Sequence, residues 1–459
     1  MSIERVYHVL GRTLWRSMLL LVVLLAVYVA GTRALLSALP VYQNNVNDWL
    51  TEKIGLNYSI SSLRGDIEKF QPSIQVTGLH IALPNGRPLV FESAEITVDP
   101  WASLLARQVR LDTLRLHGLA VDLPVDAIYP SAGDGSAARL AASLLVAFRK
   151  VTIEQSEIWL VGSEGGRQQL NVMLDLHRSG SERQVVMEVS GPQSSQLSIS
   201  GSSVGDILQL DRFAGELYGR LSIPNAEWLS PFFGDGFNVN GELDFWYRSN
   251  SQEPNIDLSL DLADLAWSHP DGRTVKLDTL VFDTGVDFQS GGWISRLQSL
   301  VMSANDRAFS LDRLEVDNRG DGLRLKTEGL DVGELLRTVV ATDILPTKIS
   351  AILSELDPTG SLVAIDAGIA DWREPLVDWS VVAQVENLSV KARKKLPGLL
   401  GIDGTVEATQ NGAVAWLDTD NFTLDLPKVY REPIEFKKIL GQLSASWDAN
   451  TLLDRKSVV

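Results

Sequence analysis

Residues 74–84 read IQVTGLHIALP and residues 114–124 read LRLHGLAVDLP, one pattern written twice: apolar, any, apolar, any, Gly, Leu, any, apolar, any, Leu, Pro. Ile74, Val76, Leu79, Ile81 and Leu83 correspond in order to Leu114, Leu116, Leu119, Val121 and Leu123, with Gly78 on Gly118 and Pro84 on Pro124. Alternation with a period of two marks a strand with one apolar and one wet face. The glycine interrupts the phase, as a bulge would, so both halves can point their apolar side chains the same way. A strand unit used more than once builds surface by addition, which disfavours a single compact catalytic pocket. A second recurrence, LDTLRL at 111–116, LDTLVF at 277–282 and LDRLEV at 311–316, sets Leu111, Leu114 and Leu116, and then Leu277, Leu280 and Phe282, in step along similar strands.

Further strands are predicted at 151–161, 170–177, 184–190, 214–223, 238–247, 256–262, 275–288 and 379–392. The pairs Asn85-Gly86, Asn240-Gly241, Asp271-Gly272 and Asn411-Gly412 supply hairpin chemistry between them. Helical spacing is confined to 41–54, with Val46, Trp49, Leu50 and Ile54 on one side, and to 140–149, 332–341 and 348–356, the last stopped by Asp357-Pro358. The fold class is therefore mainly β, an amino-terminal transmembrane helix followed by an elongated, twisted antiparallel sheet of repeating units with a few short helices. The segments are 1–40, a cytoplasmic stub and anchor; 41–135, a first β unit with its capping helix; 136–344, further repeats; and 345–459, a helical insertion and another β unit. The pattern is lost after Trp447, and the expectation is a sequence that stops inside a longer protein.

The anchor rests on residues 18–30, MLLLVVLLAVYVA, inside a charge-free stretch from Ser17 to Thr32. With the apolar residues on either side there is enough chain to cross ~30 Å of hydrocarbon. Arg5, Arg12 and Arg16 precede the run and only Arg33 follows before Lys53, so the amino terminus belongs in the cytoplasm and the bulk outside it. A cleaved signal peptide is the competing reading, and no well-placed A-x-A site follows the run. A net charge of −17, from 58 acidic and 41 basic residues, argues against a nucleic-acid partner, because that affinity comes from neutralising phosphates. Cysteine is absent, which is compatible with the bacterial periplasm.

Signals for catalysis are poor. Gly201-Ser-Ser203-Val-Gly205 fits the G-x-S-x-G expression, but only His269 follows, in a His-Pro-Asp-Gly turn, so an envelope serine hydrolase built on Ser203 is the weakest reading. His8, His80, His117, His177 and His269 have no ligand spacing, and no P-loop or dinucleotide fingerprint occurs; neither metal nor cofactor is expected. Lys391, Arg393, Lys394 and Lys395 form one dense basic cluster, read as a solvated loop or a holder of anionic groups, and Arg319-Gly320-Asp321 reads as a turn. The 12 tryptophans are spread along the chain and read as packing or lining residues.

The chain resembles the YhdP family, inner-membrane-anchored members of the AsmA-like group to which TamB also belongs. The resemblance is carried by the anchor followed by YSISSLRGDIEKFQPSIQVTGLHI (58–81), by ITVDPWASLLARQVRLDTLRLHGLAVDL (96–123), by LPTKISAILSELDPTGSL (345–362) and by LPGLLGIDGTVEATQNGAVAWLDTDNFTLDLPKVYREPIEF (396–436). It implies a non-enzymatic bridge protein that carries phospholipid from the inner toward the outer membrane along a long apolar β groove. Its partners would be phospholipid, the inner membrane, and the outer membrane or its proteins through a further part of the protein. The kinship with TamB implies a second reading, a scaffold for assembling outer-membrane proteins. The strand, Pro-Trp, short helix and strand around 99–109 also look like the opening of chorein-type lipid bridges. Physics is compatible: an apolar face that shelters acyl chains gains about 0.8 kcal/mol per methylene. Groove-lining candidates are Ile74, Val76, Leu79, Ile81, Leu83, Leu111, Leu114, Leu116, Leu119, Val121, Leu123, Leu277, Leu280 and Phe282. The bland alternative is that these alternating side chains are the closed core of a sandwich.

Overall fold

The computed structural model describes residues 3–42, 58–68, 70–82, 88–124, 148–162, 166–204, 214–234, 236–250, 254–269, 272–289, 291–320, 322–371, 378–393, 396–448 and 451–455. They are mainly β, and they form two compact units, Met1–Gly191 with Ser198–Leu210, and Pro192–Leu197 with Asp211–Val459.

The first unit opens with helix α1 (Ile3–Ala38) and a 3-10 turn, Leu39–Tyr42. The stretch Leu14–Val41 is long and apolar enough to cross a membrane, and almost none of it is buried. Strands β1 (Tyr58–Glu68), β2 (Gln71–Ala82) and β3 (Pro88–Val98) follow, then the short helix α2 (Pro100–Ala106), and then β4 (Leu111–Pro124), β5 (Lys150–Val161), β6 (Arg167–Ser179), β7 (Glu182–Ser190) and β8 (Gln196–Val204). The end of α1 lies against β1, where a Cβ on Gly65 would come within 2.6 Å of the Leu36 Cβ. Glycine permits that close approach.

Pairing is antiparallel from β1 to β4 and from β5 to β7. The sheet departs from the expected wholly antiparallel order at β4 and β5, which run parallel with Leu114 beside Val151. A parallel pair needs a crossover of about a dozen residues or more, which the chain between Pro124 and Lys150 provides.

The repeated glycines sit at φ +62° (Gly78) and +64° (Gly118), in the left-handed region. By register, Ser61, Gly78, Glu92 and Gly118 lie across from one another on β1 to β4, and Gln155, at φ +50°, continues the row on β5. Ile74, Val76, Leu79 and Ile81 all join one apolar cluster, as do Leu114, Leu116 and Leu119, so the two halves of each strand do present the same face. Ile60 and Leu63 on β1, and Phe91 and Ala94 on β3, make the same three-residue step. The expected bulge is absent at the glycines themselves. Every strand from β1 to β4 switches phase in the same row, so the register passes through it without a slip. The slip appears at β5 and β6, between Ile153 and Ser156, because β6 keeps simple alternation and one extra residue must be absorbed there.

The second unit contains β9 (Ala214–Ile223), α3 (Ser230–Phe233), β10 (Asn238–Asn250), β11 (Asn255–Ser268), β12 (Thr274–Gln289), β13 (Gly292–Ala304), β14 (Arg307–Leu311), β15 (Leu314–Arg319) and β16 (Gly322–Asp331). Helices α4 (Val332–Ala341) and α5 (Thr347–Leu356) come next, followed by β17 (Thr359–Ile369), β18 (Trp379–Val390), β19 (Gly398–Thr409), β20 (Gly412–Asp425), β21 (Ile434–Asp448) and β22 (Thr451–Arg455). Neighbours in the chain pair antiparallel, except that β14 and β15 both pair with β13. The third LDxLxx copy therefore spans a break, with Asp312 and Arg313 between two strands. Left-handed residues recur inside strands here too, at Asp264, Gly329, Asn387 and Asn421.

Helices α4 and α5 fall where the spacing predicts them. Asp331 caps α4 by accepting from the Glu334 amide at 2.7 Å, and α5 ends at left-handed Asp357 ahead of Pro358. Asn411 precedes β20 in a turn as expected, but Asn240-Gly241 lies inside β10. A Cβ on Gly241 would meet the Asp261 carbonyl oxygen at 2.3 Å, and the register shifts beside it, so the glycine serves strand approach. Residues 43–54 of the predicted helix at 41–54, residues 140–147 of that at 140–149, Asn85-Gly86 and Asp271 lie outside the described residues.

A Cβ at Gly118 would come within 2.7 Å of the Glu92 Cβ, whereas one at Gly180, φ +65°, meets nothing within 4 Å. Gly118→Val is expected to lower stability by about 2–4 kcal/mol and Gly180→Ala by about 1 kcal/mol. Urea unfolding of the two variants in detergent checks the difference.

Candidate functional site

The apolar sheet face is the surface that the sequence pattern singles out, and in the second unit it is laid down by register. Leu221 of β9 faces Leu243 of β10, which faces Leu260 of β11, Phe282 of β12 and Leu300 of β13 in turn. A parallel row runs from Leu217 through Tyr247 and Ile256 to Val286. All nine of these residues are half-buried. In a closed sandwich the two inner faces interdigitate and such positions are sealed from water.

The reverse face is wet and charged. Arg220 pairs with Glu242, Arg248 with Asp257, Arg296 with Asp287 and Arg324 with Asp366, all between neighbouring strands. The hydrogen bond from Arg324 holds the Asp366 carboxyl below the usual carboxylate range. Trp246 belongs here, edge-on to Tyr218 at 5.9 Å with Arg248 over its ring, and Trp159 lies under Arg167. These two tryptophans are thus on the polar side and do not line the apolar face, because their neighbours in sequence, Phe245 and Ile158, take the inward positions.

The sequence-derived candidates divide between two environments. Val76, Leu114, Leu116 and Leu277 are buried. Ile74, Leu79, Ile81, Leu111, Leu119, Val121, Leu123, Leu280 and Phe282 are half-buried, and Leu83 lies outside the described residues. In the first unit Val76, Leu114 and Leu116 share a core with Leu63, Phe148 and Val151, against which Leu39 after α1 packs. In the second, α4 packs on β13, β14, β16 and β17, and the Thr342 carbonyl just beyond it accepts from the Lys276 amide at 3.1 Å, beside buried Val275 and Leu277. Each unit therefore has a sealed end and a stretch of apolar face left accessible. Sequence reasoning missed Leu221, Leu243, Leu260 and Leu300, which repeat no motif; the signal for the first three was the plain alternation of the predicted strands, whereas Leu300 lies in a strand that was not among those predicted.

Other features settle into structural roles. Ser203 lies within strand β8. Among the described residues no three His, Cys, Asp or Glu side chains gather where they could hold a metal ion. Of the basic cluster, Lys391 reaches Asp357 at 2.6 Å and Arg393 pairs with Glu355, while Lys394 and Lys395 lie outside the described residues. A cleft of about 360 Å³ beside these pairs is lined by Arg307, Leu336, Arg337, Leu353 and Asp357, between the two helices and the β13–β14 turn.

A family model described as YhdP protein matches residues 1–454. The chain belongs to the YhdP family. No curated protein and no solved structure gives a match. The YhdP match takes in the apolar helix, the first compact unit and nearly all of the second.

Leu116→Asp, which buries a carboxylate without a partner, is expected to cost about 4 kcal/mol or more, and Phe282→Asp less than half of that; urea unfolding checks the ordering. The hydrogen bond from Lys391 lowers the Asp357 pKa, ahead of the charges of Lys391 and Arg337. Its stabilisation is present above the ordinary carboxylate pKa and is lost as pH falls through the lowered one. Asp357→Asn should therefore lower the unfolding free energy at neutral pH by no more than about 1 kcal/mol for so exposed a pair, with a matching fall in the thermal midpoint that is absent in strong acid.

Proposed function

We propose that this YhdP-family chain is a non-enzymatic lipid carrier of the bacterial envelope, anchored in the inner membrane by α1 with its amino terminus in the cytoplasm. Its accessible apolar strand faces shelter the acyl chains of phospholipid on the way toward the outer membrane, while headgroups stay in water. The observation that carries this reading is the row from Leu221 to Leu300, half-buried apolar side chains facing each other across five strands and backed by a charged reverse face. A surface of this kind is costly in water and favoured under hydrocarbon, at about 0.8 kcal/mol for each methylene that it shelters. It is also tolerant of chain length and headgroup, since apolar contact is non-directional. The half-buried candidates Ile74, Leu79, Ile81, Leu111, Leu119, Val121, Leu123, Leu280 and Phe282 are assigned to this path, whereas Val76, Leu114, Leu116 and Leu277 support it from the core.

Mass spectrometry of lipids extracted from the purified full chain tests the proposal. Co-purifying phospholipid is expected, together with its loss from a folded Leu260→Asp, Phe282→Asp double variant. Folded protein that carries no phospholipid, and instead retains outer-membrane proteins, would replace the carrier by an assembly scaffold.

A further inference from the structure

Helix α2 has seven residues, PWASLLA, and none of them is buried. Trp101 is 73 % exposed, Leu104 69 % and Leu105 85 %, and Val109 just beyond is 69 % exposed. Apolar side chains in a helix normally answer to a core, and none of this helix's belongs to the apolar cluster of the first unit. Four large apolar residues within nine positions form a patch that water disfavours.

The place of α2 in the first unit says what covers it. Ser73 faces Thr97 across β2 and β3, and the Asp99 amide donates to the Arg110 carbonyl at 2.9 Å, so α2 and the β1–β2 turn emerge from the same end of the sheet. At that turn the Phe70 carbonyl accepts from the Tyr28 hydroxyl of α1 at 3.1 Å, and the Phe70 side chain is 57 % exposed. From Arg16 to Tyr28 the helix rises only ~18 Å, against ~30 Å for a hydrocarbon core. With Arg16 at the cytoplasmic headgroups, the bilayer must extend beyond Tyr28 along the stretch of α1 that lies against β1. The turn and α2 then stand at the depth of acyl chains, not of water.

We infer that α2 and the β1–β2 turn are inserted in the bilayer, in the same leaflet as the carboxyl-terminal half of α1, through Phe70, Trp101, Leu104, Leu105 and Val109. Arg107 and Arg110, both exposed, are the groups that reach back to lipid phosphates, as long cationic side chains do at a membrane interface. Asp99 serves the protein side, capping α2 by accepting from the Ala102 amide at 2.9 Å. The inference rests on α1 spanning the membrane and is independent of lipid transport; joined to the proposed function, it puts one end of the strand path inside the donor leaflet.

The chain has no cysteine, so single labels are clean. An environment-sensitive fluorophore is attached to the full chain at Leu105→Cys, at Leu21→Cys within α1 and at Asp122→Cys toward the opposite end of β4. The variants are reconstituted in phosphatidylethanolamine–phosphatidylglycerol vesicles with or without nitroxide-labelled acyl chains. Blue-shifted emission and strong nitroxide quenching are expected at positions 105 and 21, with neither at 122. Quenching at 21 but not at 105 overturns the inference and leaves the anchor standing. A blue shift at 105 without quenching also overturns it, because a protein surface then covers α2. No quenching at 21 removes the anchor itself, and this inference with it.

Discussion

The constraint on which the rest of the first unit depends is that neighbouring strands must change phase together. A strand whose apolar residues step by three at one point turns half of its side chains over unless the backbone departs from simple pleating there, most openly at a left-handed residue. A strand that did so alone would slip against its neighbours. Gly78, Gly118 and Gln155 meet this requirement in one row, and β1 and β3 make the same three-residue step without a glycine. The outcome is a sheet with a single continuous apolar side and an undisturbed register. The side chains themselves are interchangeable hydrophobes, so the backbone geometry carries the specificity.

One kind of surface then meets two fates. Where α1 and Phe148, or α4, come down on the sheet, valine and leucine are sealed into an ordinary core and supply the burial that holds each unit together. Farther along the same strands the residue types are unchanged but the cover is missing, and the side chains stay half-open to solvent. The charged reverse face, with its cross-strand arginine–carboxylate pairs, keeps that asymmetry from reversing. Within each unit the same face is thus sealed along one stretch and open along another.

Much of this was legible in the residues. Period-two alternation located β2, β4 to β7, β9 to β12 and β18, helical spacing and the Asp357-Pro358 stop located α4 and α5, and the doubled motif pointed to Gly78 and Gly118 as special backbone positions. What the pattern could not provide was the third dimension. Leu116 and Phe282 look equivalent in sequence, and only the elements packed above them decide that one is core and the other surface. The parallel β4–β5 pair was hidden because its crossover leaves no mark on the alternation of either strand. Asn240-Gly241 misled because a glycine demanded by close strand approach carries the same letters as a hairpin turn. Residue type alone reads Trp246 as a packing or lining residue, whereas its odd–even position assigns it to the polar side.

The shared row of phase changes also bears on how such a sheet can change in descent. Loss or gain of one residue beside the row in a single strand would invert the facing of everything on one side of it, while substitutions among the aliphatic residues leave the facing alone. Length near the row should therefore drift only in concert across adjacent strands, and sequence divergence should accumulate freely around a rigid pattern of spacings. Relatives of this chain are better aligned by the interval between their apolar residues than by the identity of those residues.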